Sequence, residues 1–167
     1  MISETIIKQI TDYFAERGEV VKIEETTKNN NQKLTALTVV SKNASSMGGS
    51  QIFLETNEMM SVEDLVKGIC IASGNDAALA IAEHISGSVE EFVSLMNNEA
   101  KLLGATNTQF VNPHGYQDEN HFTTTYDLYL MFEACMKQPE FLNIISRPSY
   151  ELEITQQNGT YRDEKWL

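Results

Sequence analysis

Positive charge is scarce in this chain. Its 12 lysine and arginine residues stand against 24 aspartate and glutamate, giving a net charge of −12. The basic residues are scattered, and a field of that sign repels nucleic acid and anionic membrane, so neither is expected as a partner. Long apolar runs are missing too. None approaches the roughly 20 residues that a membrane-spanning helix needs. The opening MISETIIKQITDYFAERG is amphipathic and mixed in charge, without the basic start and apolar core of an export signal. Only 2 cysteines occur. Cys70 and Cys135 form neither a disulfide framework nor a zinc spacing, and they read as small buried hydrophobes. His84, His114 and His121 lack carboxylate or cysteine companions at ligand spacing, so no metal and no cofactor is expected. No two acids form an isolated pair in an apolar setting, as paired-carboxylate chemistry needs.

What is present is ordinary for a folded domain. The 167 residues are 41% apolar, enough for one real core. Three regions separate. Residues 1–41 read as a helix followed by two strands, VVKIEET and KLTALTVV, flanking an asparagine-rich loop. Residues 42–147 read as mostly helical, with helices over 62–72, 74–86, 89–103, 125–136 and 139–145. Four of these starts carry a hydroxyl followed three residues later by an acid: Ser61 and Asp64, Ser73 and Asp76, Ser88 and Glu91, Thr124 and Asp127. Such a pair can satisfy free N–H groups of a first turn. Residues 148–167 read as a second hairpin, YELEIT and TYRDEKW, around Asn158-Gly159.

The stretch ICIASGNDAALAIAEHI interrupts an alanine-rich helical pattern with Ser73, Gly74 and Asn75. Locally, Ser73 reads as the N-cap of a helix beginning at Gly74. On that reading Ser73→Ala costs about 1 kcal/mol and Ser73→Asp nothing. The alternative is chemical, a turn that presents a hydroxyl and an amide to a substrate.

SKNASSMGGSQIFLE, IASGNDAALAIAEHISGSVEEFVSLMN and LGATNTQFVNPHGY…HFTTTYDL occur in this order. Together they resemble the central part of the serine D-alanyl-D-alanine carboxypeptidases, the low-molecular-mass penicillin-binding proteins, over roughly residues 38–147. The resemblance implies an α/β fold of the serine β-lactamase and penicillin-binding-protein transpeptidase type. Here that means a mainly helical subdomain, short β-hairpins at both ends and an incomplete antiparallel sheet. It further implies a peptidoglycan peptide or a β-lactam as ligand, and an envelope location. Ser73 would relay protons near a nucleophile, Asn75 would hydrogen-bond the peptide, and Gly74 would keep the turn compact. Asn75 is then expected to face an open cleft with few protein partners.

Two of the family's three catalytic elements are not found. No Ser-x-x-Lys occurs; the nearest pattern, Thr5 and Lys8 as Thr-x-x-Lys, reads better as a solvated helix start than as a catalytic pair. Lys165 is followed by Trp166 and Leu167, not by Thr-Gly or Ser-Gly, and the family's Lys-Thr/Ser-Gly strand is expected further along than this sequence runs. The sequence therefore implies a carboxypeptidase-like chain that is inactive alone. The alternative is a non-catalytic fragment or a cell-wall-peptide binding module.

Overall fold

Three of the four hydroxyl-acid pairs start a helix as their spacing implies. The computed structural model describes residues 37–155 and 161–166. Ser61 Oγ accepts from the Asp64 N–H at 3.0 Å and donates to the Asp64 carboxylate at 2.7 Å, opening α2 (Val62–Ala72), which follows the short α1 (Lys42–Ser45). Ser88 Oγ accepts from the Glu91 N–H at 3.2 Å and opens α4 (Val89–Leu102). Thr124 Oγ1 accepts from the Asp127 N–H at 3.1 Å and opens α5 (Thr125–Met136). Pro139 stands in the first turn of α6 (Pro139–Ile145), where its missing N–H is no loss.

Asp127 is also engaged beyond its own helix. Its carboxylate accepts from the Asn107 N–H and the Thr108 hydroxyl, each at 2.7 Å, tying the 104–108 turn to α5. Burial opposes its charge. The hydrogen bonds from Thr108, Asn107 and Thr124 outweigh that and hold the carboxyl below its ordinary value.

The helix between α2 and α4 is α3 (Asn75–Ser86), and it is the axle of the fold. Ala77, Ala78, Leu79, Ala80, Ile81 and Ala82 are all buried, and α3 touches α1, α2, α4 and β1 (Leu37–Val39). A helix with no polar face belongs inside, and alanine lets its neighbours approach closely. Val40, Ile52, Leu54, Met60 and Leu65 complete the core around it. Each such side chain contributes about 1.5–3 kcal/mol through removal from water. Ile52 sits against α2 because Gly68 leaves room: a Cβ there would stand 2.9 Å from Ile52 Cδ1.

Among the described residues the sheet has four antiparallel strands in the order β1-β2-β3-β4, with β2 at Met59–Ser61, β3 at Tyr150–Thr155 and β4 at Tyr161–Trp166. β1 pairs with β2 from Leu37 opposite Ser61 to Val39 opposite Met59. β2 meets β3 at Met59 opposite Thr155, and β3 pairs with β4 along its whole length, from Tyr150 opposite Trp166 to Thr155 opposite Tyr161. The sheet beside a mainly helical body is the architecture the sequence implies. Strand β2 was not anticipated, because three residues are too few to show alternation. Of the N-terminal hairpin expected from VVKIEET and KLTALTVV, the described part is Leu37–Val39, which is β1; the rest of it and the Asn158-Gly159 turn lie outside the described residues. No described helix is long and apolar enough to cross a membrane.

The expectation of buried cysteines fails. Cys70 on α2 and Cys135 on α5 are free thiols, and both are exposed. Partial burial still raises both thiol pKa values, and Cys135 adds to the rise at Cys70, so the fold brings the two within electrostatic reach. Their helices turn an edge outward rather than a core face, which residue type alone does not reveal.

Candidate active site

The Ser-Gly-Asn segment is a junction between helices, but its residues take the opposite parts from those the sequence suggests. Ser73 does not cap α3. It ends α2 in the left-handed region, φ 56° and ψ 37°, with its N–H donating to Ile69 O at 3.1 Å. Gly74 is the N-cap of α3, in extended conformation, and supplies no side-chain cap. Helices ordinarily end on a left-handed glycine and begin on a serine. Here the serine holds the strained position and the glycine the undemanding one. The misreading has a physical cause, since the acid three residues on, Asp76, is engaged elsewhere.

Ser73 is exposed, and among the described residues its hydroxyl has no hydrogen-bond partner. A side chain held at positive φ costs about 1–2 kcal/mol. Ser73→Gly is therefore expected to raise stability by about 1 kcal/mol. Ser73→Ala should leave it nearly unchanged, because alanine keeps the same Cβ strain and loses no bond. Thermal melts of the two variants read this directly. A drop for Ser73→Ala with no gain for Ser73→Gly would restore the capping interpretation.

Asn75 is also placed differently from expectation. It is 7% exposed rather than open to a cleft. Its Nδ2 donates to Gly48 O at 3.0 Å and its backbone N–H donates to Ser50 O at 2.8 Å. The other end of the amide, Oδ1, takes no bond among the described residues. Asp76 continues the same grip. Its carboxylate, 1% exposed, accepts from Ile52 N–H at 3.0 and 3.1 Å and from Leu54 N–H at 3.0 Å. The Gly48–Leu54 segment is thus laced to the start of α3 by consecutive side chains, one amide and one carboxylate. Gly74 lets that junction close: a Cβ there would stand 3.1 Å from Asp76 Oδ1, 3.2 Å from Ile52 Cγ2 and 3.3 Å from Gly68 O.

Tyr116 joins this group, and nothing in its spacing announced it. Gly49 has φ 84°, and a Cβ there would strike Tyr116 Oη while standing 2.6 Å from Asn75 Nδ2. Tyr116 and Asn75 therefore flank one glycine. The His114 ring meets the Tyr116 ring edge to face, with centroids 5.0 Å apart. Burial, and then nearby His121, lower the His114 pKa; burial lowers that of His84 on α3. His121 accepts at Nδ1 from the Val111 N–H at 3.4 Å and packs edge-on against Phe110. Among the described residues no three histidine, cysteine or acidic side chains gather where a metal could sit. Thr5 and Lys8 lie outside the described residues.

The helical body and its junction define a DD-peptidase type of fold: a Streptomyces DD-transpeptidase superposes with a TM-score of 0.76 at 26% identity, covering 83% of this chain and 57% of that one. The D-alanyl-D-alanine carboxypeptidase DacD from Francisella tularensis superposes with a TM-score of 0.67 at 35% identity, over 70% of this chain and 28% of that one. The D-alanyl-D-alanine carboxypeptidase DacF of Bacillus subtilis is 50% identical over 123 residues, which are 74% of this chain and 28% of that protein. A family model described as D-alanyl-D-alanine carboxypeptidase matches residues 19–166. The chain belongs to that family. It spans little more than a quarter of the length of DacF.

Proposed function

We propose that this chain furnishes the Ser-Gly-Asn wall of a D-alanyl-D-alanine carboxypeptidase site, and that by itself it holds rather than cuts a peptide ending in D-alanyl-D-alanine. The observation that carries the reading is the inverted junction. A serine is kept at a strained, exposed position where glycine would be more stable, and such strain at a turn is a mark of function rather than of folding. In that role the Ser73 hydroxyl, without a hydrogen-bond partner among the described residues, passes a proton beside a nucleophile, and Asn75 orients the peptide. Gly74 keeps the two close. Residues 42–147 are the carboxypeptidase-like body, and the compartment is the cell envelope, where such peptides and β-lactams are met.

Cutting needs an activated nucleophile, and the sequence contains no Ser-x-x-Lys. The purified chain should therefore gain no durable label from a fluorescent penicillin. In amide spectra, a tripeptide ending in D-alanyl-D-alanine should shift residues around Ser73–Asn75 and Gly48–Ser50, while its L-alanyl-L-alanine counterpart should not. Durable labelling would overturn the holding-only reading. Equal response to both peptides, or to neither, would overturn the ligand class.

A further inference from the structure

The Ser-Gly-Asn junction presents unused hydrogen-bonding groups, and a residue some 40 positions away supplies one more. Asn75 has committed Nδ2 to Gly48 O, which fixes the amide plane and leaves Oδ1 as a free acceptor among the described residues. Tyr116 brings its hydroxyl to the same face of Gly49, where an ideal Cβ would meet both Tyr116 Oη and Asn75 Nδ2. The phenol has no hydrogen-bond partner among the described residues, and Tyr116 is 43% exposed.

The position of Tyr116 is built, not incidental. Its backbone carbonyl accepts from Asn112 Nδ2 at 3.0 Å, and its N–H donates to His114 Nδ1 at 3.3 Å. Gly115, between them, has φ 81° and donates its N–H to Asn112 Oδ1 at 2.7 Å. The ring rests against His114. A tyrosine fixed at its backbone and along its ring, with only the hydroxyl unspent, is a positioned donor.

We infer that Tyr116 is a further substrate-binding residue of this site: its hydroxyl donates to a backbone carbonyl of the bound peptide while Asn75 Oδ1 accepts a peptide N–H. A donor and an acceptor side by side over one glycine match the neighbouring C=O and N–H of an extended peptide. Gly49 offers no side chain to block the approach.

This inference rests on the peptide-holding reading above, and one titration separates the two. The full chain, its Tyr116→Phe variant and its Tyr116→Ala variant are titrated with the D-alanyl-D-alanine tripeptide, and all three are melted. Tyr116→Phe keeps the ring against His114 and removes only the hydroxyl. It should weaken binding about five- to tenfold, the size of one hydrogen bond, with an unchanged melting temperature. Tyr116→Ala should bind no better than Tyr116→Phe. If the wild-type chain binds and Tyr116→Phe binds equally well, the inference is overturned and the peptide reading survives. If the wild-type chain does not bind, both are overturned. A fall in melting temperature for Tyr116→Phe that accounts for its weaker binding would make the hydroxyl structural and likewise overturn the inference.

Discussion

Asp76→Ala is expected to destabilise the chain by about 3–5 kcal/mol, a large share of the roughly 5–15 kcal/mol that a domain has in total. The substitution strips buried acceptors from the N–H groups of Ile52 and Leu54. It would also empty a fully buried volume beside Ile52. A buried donor left without a partner loses about 1–3 kcal/mol, and a bond to a charged acceptor is stronger than a neutral one. Asp76→Asn keeps the volume and one oxygen but turns an NH2 group toward the same donors, so about half of the loss should remain. Urea unfolding of the two variants measures both. A loss under about 1 kcal/mol for Asp76→Ala would mean that the Gly48–Leu54 segment is held by its apolar side chains alone.

Gly49→Ala is the second large effect. The φ of 84° alone costs an alanine about 1–2 kcal/mol. The new methyl would also press into Tyr116 Oη and Asn75 Nδ2, and overpacking adds about 1–3 kcal/mol. A total of about 2–5 kcal/mol is expected from those two terms, together with displaced amide signals at both residues. Gly48→Ala is the matched control. A Cβ there meets Tyr116 Oη at 3.4 Å, an ordinary contact, so its loss should be much smaller. Equal losses for the two glycines would show that the loop yields as a whole and that no gap between Tyr116 and Asn75 is being defended.

These two effects also show where sequence reading reaches and where it stops. Ser61, Ser88 and Thr124 cap helices through bonds to N–H groups three residues on, so the interaction and its signal lie within one turn. The bounds of α2 and α5 accordingly coincide with those read from the pattern, and α4 begins where the pattern starts it. Ser73 and Asp76 carry the same signal, yet the carboxylate is spent on Ile52 and Leu54, more than twenty residues earlier. Without its acid the serine had no reason to cap, and the chain used it to end α2 instead. Tyr116 was invisible for the same reason. Its place beside Asn75 depends on the path of the loop from Asn112 and on a glycine in a third segment. The family was legible because phrases such as SGNDA and NPHG are local. The grouping of Gly49, Asn75 and Tyr116 was not, because it is a long-range property.

The sheet's middle seam bears on how this chain would come apart. β1 and β2 are anchored to the core through Val40 and Met60, while β3 and β4 zip together along six positions and, among the described residues, the ladder joins them to β2 only where Met59 stands opposite Thr155. The ribbon is held to that neighbour by one rung of the ladder and otherwise lies against α2. With so few hydrogen bonds joining it to the body, it should open at a lower free energy than the helices it lies against. The Ser-Gly-Asn junction lies wholly within the helical body, so its geometry should persist while the ribbon breathes.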